Sequence, residues 1–161
     1  MIIIADSTPL HYLVEIDKQD VLKELFGKVI IPQGVSEELQ HANAPQKVRH
    51  WFLNLPEWIE VRQADLSFFH PEKKIGKGEH QAIALAIEIK ADAILADDRG
   101  ATLEARRANL LTIPTLNILE QAARRNLIDL EDTIDHLLKT GFYVSPKLIE
   151  EVRDRFKGAE K

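Results

Sequence analysis

Ile2-Ile3-Ile4-Ala5-Asp6-Ser7-Thr8-Pro9-Leu10 carries the transition from which the fold can be read. Ile2 to Ala5 is a continuous apolar run rich in β-branched residues, the pattern of a strand buried on both faces. Ser7, Thr8 and Pro9 then supply hydroxyl caps and a first-turn proline, and Leu10, Leu13 and Val14 follow at helical spacing. Asp6 stands at the junction. Further on, Val21, Leu22, Leu25 and Phe26 make a second short helix closed by Gly27, and Lys28-Val29-Ile30-Ile31 repeats the strand pattern. A strand, helices, strand opening of this kind predicts a parallel sheet.

The alternation continues. After Pro32 a short helix carries Val35, Glu38 and Leu39, and another begins near Pro45 with Val48, Trp51 and Phe52 along one side. Trp58-Ile59-Glu60-Val61 reads as an exposed or edge strand, and residues 63–74 as loop. Gly76-Lys77-Gly78 leads into a helix over 79–89 that is apolar nearly all round through Ala82, Ile83, Ala84 and Leu85, so it should be buried. Residues 93–96 form a third core strand, 102–109 a helix, 110–113 a fourth core strand, and Pro114-Thr115 start a helix through Ala122. This is the pattern of a doubly wound α/β sheet with right-handed crossovers. The stripes Ile134-Leu137-Leu138 and Leu148-Ile149-Val152-Phe156 predict a C-terminal helical pair. No repeat or linker divides the chain, so one domain is expected over 1–161, with an α/β core at 1–128 and a helical extension at 129–161.

At 161 residues and 45% hydrophobic, the chain can bury one core and is short for two. It contains no cysteine, which excludes disulfides, thiolate metal sites and a cysteine nucleophile, and is compatible with a reducing cytoplasm, the expected location. The N-terminal segment lacks a cationic leader, and no apolar run approaches the roughly 18 residues of a membrane span, so neither secretion by that route nor a membrane-spanning helix is expected. A net charge of -5 argues against a generic polyanion-binding surface. The charge is unevenly spread, however: Lys73, Lys74 and Lys77 precede Glu79, and Arg99, Arg106 and Arg107 follow Asp98. Each of these taken singly also suits a solvated face.

Carboxylates carry the chemistry. Asp6 and Asp97-Asp98 end predicted parallel strands, the rim at which open α/β sheets bind ligands. Singly, Asp6 and Asp98 suit helix caps, and Glu79 suits the first turn of its helix. Glu38 falls inside or at the end of a helical turn, where neither argument asks for a negative charge. If the fold brings these acids together, their repulsion can be relieved only by protonation or by a hard cation such as Mg2+ or Mn2+. Other chemistries lack a signature: the six histidines show no close pairing of the metalloprotease type, Gly76-Lys77-Gly78 is too short for a phosphate-binding loop, and no nucleophile elbow is present. The few aromatics are scattered and predict no base-stacking platform.

Four segments together resemble PIN-domain proteins, closest to a prokaryotic branch of predicted nucleic-acid-binding proteins related to VapC-type toxins. They are Ile4-Ala5-Asp6-Ser7-Thr8-Pro9-Leu10, Ile31-Pro32 followed by Val35 and Glu38-Leu39, Gly78-Glu79 leading into Ala82-Ile83-Ala84-Leu85-Ala86, and Leu95-Ala96-Asp97-Asp98-Arg99. The resemblance implies a three-layer α/β/α sandwich around a short, mainly parallel sheet, with the C-terminal helical pair appended. It places the family's acidic quartet on Asp6, Glu38, Glu79 and Asp98, with Asp97 as an additional or substitute ligand and Ser7 or Thr8 as the hydroxyl beside the first aspartate. Two departures stand out: the third acid, commonly Asp in VapC-type toxins, is Glu79, and the usual Thr two residues before the last Asp is Ala96. The implied activity is Mg2+- or Mn2+-dependent hydrolysis of RNA phosphodiester bonds. Lys77 and Arg99 would contact the substrate, a small antitoxin protein is a candidate partner, and a homodimer is expected. The competing expectation is a non-catalytic PIN-like module that binds RNA or protein.

Overall fold

The computed structural model describes residues 1–160, with side chains described through Gly158; Lys161, the end of the expected helical extension, lies outside the described residues. Five strands, β1 (Ile3–Ala5), β2 (Val29–Pro32), β3 (Ile59–Arg62), β4 (Ala93–Leu95) and β5 (Thr112–Ile113), form one sheet in the order β3-β2-β1-β4-β5. Every pairing is parallel, so the sheet is parallel throughout rather than mainly so. Successive strands move from β1 outward to β3, and the chain then crosses back to lay β4 against the other side of β1. That reversal puts a topological switch point between the carboxyl ends of β1 and β4.

The strands are uninterrupted apolar runs because both faces are covered. Ile3, Ala5, Val29, Ile31, Ala93 and Leu95 point into one core, and Ile4, Ile30, Ile94 and Ala96 into the other. The first core is closed by α1 (Ser7–Glu15), α2 (Asp20–Phe26), α3 (Gln33–Gln40), α4 (Gln46–Leu53), α7 (Thr115–Arg124), α8 (Leu130–Leu138) and α9 (Pro146–Glu160). The second is closed mainly by α5 (Lys77–Glu88) and α6 (Arg99–Arg107). Within α5 the small side chains Ala82, Ala84 and Ala86 alternate with Ile83 and Leu85, and all five are buried, as the apolar run predicts.

The expected fourth core strand over 110–113 spans only Thr112–Ile113 and is half-buried, because it lies at the edge of the sheet, and other boundaries differ as well. The helix carrying Glu79 starts two residues earlier, at Lys77, the segment 63–74 contains a 3-10 turn at Leu66–Phe68, and α6 begins directly after Asp98. In each case a short polar side chain or a backbone turn acts locally where apolar spacing is silent: Asp65 accepts from the Ser67 amide, and Asp98 from that of Ala101. In the C-terminal pair, Ile134, Leu137, Ile149 and Val152 are buried in their own domain, whereas Leu138 and Leu148 remain exposed. Glu120 on α7 bonds Arg124 and also Arg155 of α9, each at a closest approach of 2.7–2.8 Å, so buried charge as well as apolar area anchors the last helix. Among the described residues no helix is long and apolar enough to cross a membrane.

Candidate metal centre

Three of the acids are aimed by the starts of the helices they occupy. Asp6 extends the β1–β4 ladder through its backbone N–H to the Leu95 carbonyl (2.9 Å), and its Oδ1 accepts from the Ser7 amide at 2.8 Å. Asp98 leaves β4 and caps α6, Oδ2 accepting from the Ala101 amide at 2.9 Å. Glu79, in the first turn of α5, reaches back so that Oε1 accepts from the Gly76 amide at 2.7 Å. The capping reading of these residues is therefore sound. Each cap occupies one oxygen of its carboxylate and leaves the other outside that bond.

With Glu38 from α3, the three line a single cleft of about 750 Å3, with Ser7 and Thr8 at its wall. Gly78 marks the narrowest approach. A Cβ there would sit 3.3 Å from Val35 Cγ2, 3.7 Å from Asp6 Oδ1 and 3.8 Å from Glu38 Oε2, so the missing side chain leaves a hollow between two carboxylates from different elements. Burial pushes the Asp6 carboxyl up to about 6, against the Ser7 amide and with help from Glu38, Asp98 and Asp97. Burial likewise pushes Glu79 up to about 7, opposed by the Gly76 amide and reinforced by Asp98 and Asp6. Among the described residues no three such side chains yet close tightly around one point. An all-oxygen donor set with a buried, charge-averse member is what a hard divalent cation satisfies.

Not every expected residue joins this cleft. Asp97, expected as an additional or substitute ligand, is turned to the start of α7: Oδ1 accepts from the Thr115 amide at 3.0 Å and Oδ2 from the Thr115 hydroxyl at 2.5 Å. Asp97 is thus absent from the lining of the cleft, which Asp98 joins. Arg99 is exposed on α6 and does not line the cleft, while Lys77 does line it, its Nζ 3.8 Å from Glu37. Where the family's hydroxyl is replaced by Ala96, a void of about 10 Å3 remains beneath Asp6 and Glu79, no more than a single water needs.

The family model described as DUF3368, a PIN domain, matches residues 2–158. The chain belongs to the PIN-domain family. PIN domains are generally metal-dependent nucleases. The fold of this PIN domain is similar to that of a PilT N-terminus domain protein from the hyperthermophilic archaeon Sulfolobus solfataricus, with a TM-score of 0.52 and 17% identity over 76% of this chain and 93% of that one. No curated protein sequence matches it.

Two residues that apolar spacing does not reveal hold the PIN domain's α3 and α5 together. Gln81, on α5, accepts from the Gly34 amide in the first turn of α3 at 2.7 Å. Gly34 permits this approach, since a Cβ there would lie 2.6 Å from Gln81 Oε1. The bond thus couples the helix of Glu38 to that of Glu79. Gln81 follows Glu79 and His80 directly and precedes the buried run that starts at Ala82, so its position carries no distinctive sequence signal. Gln81→Ala removes the cap acceptor from a part-buried amide and is expected to cost about 1–2 kcal/mol in urea unfolding, together with weaker Mn2+ binding as Glu38 drifts. Unchanged stability and Mn2+ affinity would remove this coupling.

The raised carboxyls also set a pH dependence. Between pH 5.5 and 7.5 the unfolded chain has already released the Asp6 and Glu79 protons, whose unfolded values are 3.8 and 4.5, while the folded protein still holds part of them up to about 6 and about 7. The folded state binds more protons, so its stability falls as pH rises through this window. Glu104, held low by the Lys73 amide and by Arg107, is ionised in both states there and adds no slope. The melting temperature of EDTA-treated protein should therefore drop by several degrees from pH 5.5 to 7.5, and Mn2+ should restore it most at the upper end. A flat profile without metal would contradict the assigned burial.

Proposed function

We propose that this PIN domain is a Mg2+- or Mn2+-dependent endoribonuclease that hydrolyses RNA phosphodiester bonds. The observation that carries the reading is the single cleft lined by Asp6, Glu38, Glu79 and Asp98 at the sheet's switch point, with Asp6 and Glu38 flanking the Gly78 hollow. Asp6, Glu38, Glu79 and Asp98 would hold the ion. When bound, it supplies positive charge to the phosphate and lowers the pKa of water. The chain's own residues do the rest. The acids would hold that positive charge at the carboxyl ends of β1 and β4, where the reacting phosphate would sit, and the Ser7 and Thr8 hydroxyls at the wall donate to the phosphate oxygens. Lys77 at the rim, with exposed Lys73, Lys74 and Arg99 beyond it, draws the flanking phosphates toward a chain that is otherwise acidic. Lys73 is held for this role through its backbone amide, which donates to Glu104 at 2.7 Å and leaves the ammonium in solvent. Water adds to phosphorus and one P–O ester bond breaks, leaving a phosphate on one fragment and a hydroxyl on the other.

The test is cleavage of end-labelled single-stranded RNA by purified protein with Mn2+, with Mg2+ and with EDTA. Cuts that require the metal support the reading. Intact RNA in every condition would favour the non-catalytic module that binds RNA or protein. The wider setting we propose is the cytoplasmic toxin of a toxin–antitoxin pair, assembled as a two-fold homodimer through the exposed apolar residues of α8 and α9, Leu138 and Leu148. Light scattering at high micromolar concentration should then give about twice the chain mass of 18.3 kDa, and a mass fixed at that single-chain value would reject the dimer.

A further inference from the structure

The cleft is larger than its acids need. At about 750 Å3 it falls within the range of roughly 300–1,000 Å3 typical of pockets for organic ligands. Besides its carboxylates, the lining includes His11, Tyr12, His41 and Asn43. His11 and Tyr12, consecutive on α1, stack at 4.4 Å between ring centroids with planes 27° apart, and Tyr12 is braced from behind by Phe142 at 5.0 Å. They form a fixed aromatic wall.

Polar groups from another element share this lining. The segment between α3 and α4 is a closed turn in which the Ala44 amide donates to the His41 carbonyl at 2.9 Å and the Asn43 amide donates to His41 Nδ1 at 3.1 Å. A backbone amide can only donate, so Nδ1 is an acceptor and the neutral ring carries its proton on Nε2. His41 therefore offers one N–H, and the Asn43 side chain a donor and an acceptor, which with His11 and Tyr12 make up the non-acidic arm of a cleft that the acids also line.

We propose that this arm is a nucleoside subsite, which seats the nucleoside next to the cleaved phosphate with its base on the His11–Tyr12 wall and its polar edge read by His41 and Asn43. The assignment rests on the RNA-cleaving reading of the acidic end and adds to it a base preference. Single-stranded RNA is recognised by this combination of stacking and edge hydrogen bonds.

The test compares wild type with His11→Ala and with the double variant His41→Ala, Asn43→Ala. Neither His41 nor Asn43 is buried, so the double variant should fold, which its melting curve checks. Random-sequence RNA is cut with Mn2+ and the ends sequenced, and affinity for the same RNA is measured by fluorescence anisotropy. The subsite predicts a wild-type preference at the position beside the cut that flattens in the double variant, and an affinity loss of about tenfold in each variant. A preference and affinity identical in all three proteins would overturn the subsite while leaving the nuclease intact. If wild type cuts nothing, the nuclease reading fails and anisotropy still decides the arm: weaker binding by both variants supports a base-binding pocket, and equal binding overturns it.

Discussion

Asp6→Asn should abolish metal-dependent RNA cleavage and leave the fold unharmed or more stable. Asn keeps a carbonyl oxygen where Asp6 Oδ1 accepts from the Ser7 amide, so the α1 cap survives. What disappears is a buried negative charge, in a residue only 4% exposed whose carboxyl is pushed up to about 6 by burial. Without metal at pH 7.5 that charge is a burden, and the variant should melt at or above the wild-type temperature. With Mn2+ the order should reverse, because only wild type gains from binding. Replacing groups that merely orient metal ligands costs about 10–100-fold, so loss of a ligand itself should lower cleavage by roughly a hundredfold or more. Residual metal-dependent activity at the wild-type level would mean that the cutting occurs elsewhere.

Gly78→Val should have the second largest effect, by occupying the hollow rather than removing a ligand. Its Cβ would press on Val35 Cγ2 at 3.3 Å, and its branches would enter the space shared by Asp6 Oδ1 and Glu38 Oε2. Mn2+ affinity should fall by at least about tenfold, as when the groups that orient metal ligands are altered. Gly78→Ala separates space from backbone. It adds the Cβ alone, in a helix where Ala is favoured over Gly by up to about 1 kcal/mol, so it should bind Mn2+ less impaired than Val while keeping or raising metal-free stability. Isothermal titration of both variants with Mn2+ checks the order. Equal affinity in wild type and Gly78→Val would show that no ion sits between Asp6 and Glu38.

Much of this architecture was legible in the chain because parallel strands covered on both faces are continuous apolar runs. Ile2 to Ala5 and Ala93 to Ala96 could scarcely be anything else, and the acids that end them inherit their place from the topology. Side-chain direction at a strand end is less legible: the sequence keeps Asp97 beside Asp98 as an additional or substitute ligand, whereas in the fold Asp97 bonds the start of α7 and Asp98 lines the cleft. The Gln81 to Gly34 bond joins residues 47 apart and leaves no periodic trace. The wall of His11 and Tyr12 was hidden similarly. His11 and Tyr12 are adjacent in the chain, but the support of Tyr12 by Phe142 joins distant segments and leaves no local trace. His80, although adjacent to Glu79, instead meets the Phe69 carbonyl at 2.7 Å and belongs to the wall of the second core.

The most direct test of the central claim, that four carboxylates from four elements hold one divalent-cation site, is anomalous diffraction from crystals soaked in Mn2+. The predicted result is a strong peak in the cleft, in contact with Asp6 and at least two of Glu38, Glu79 and Asp98, with Asp97 still bonded to Thr115. An empty cleft at saturating Mn2+, or a peak held by other residues while these four stay apart, would contradict it.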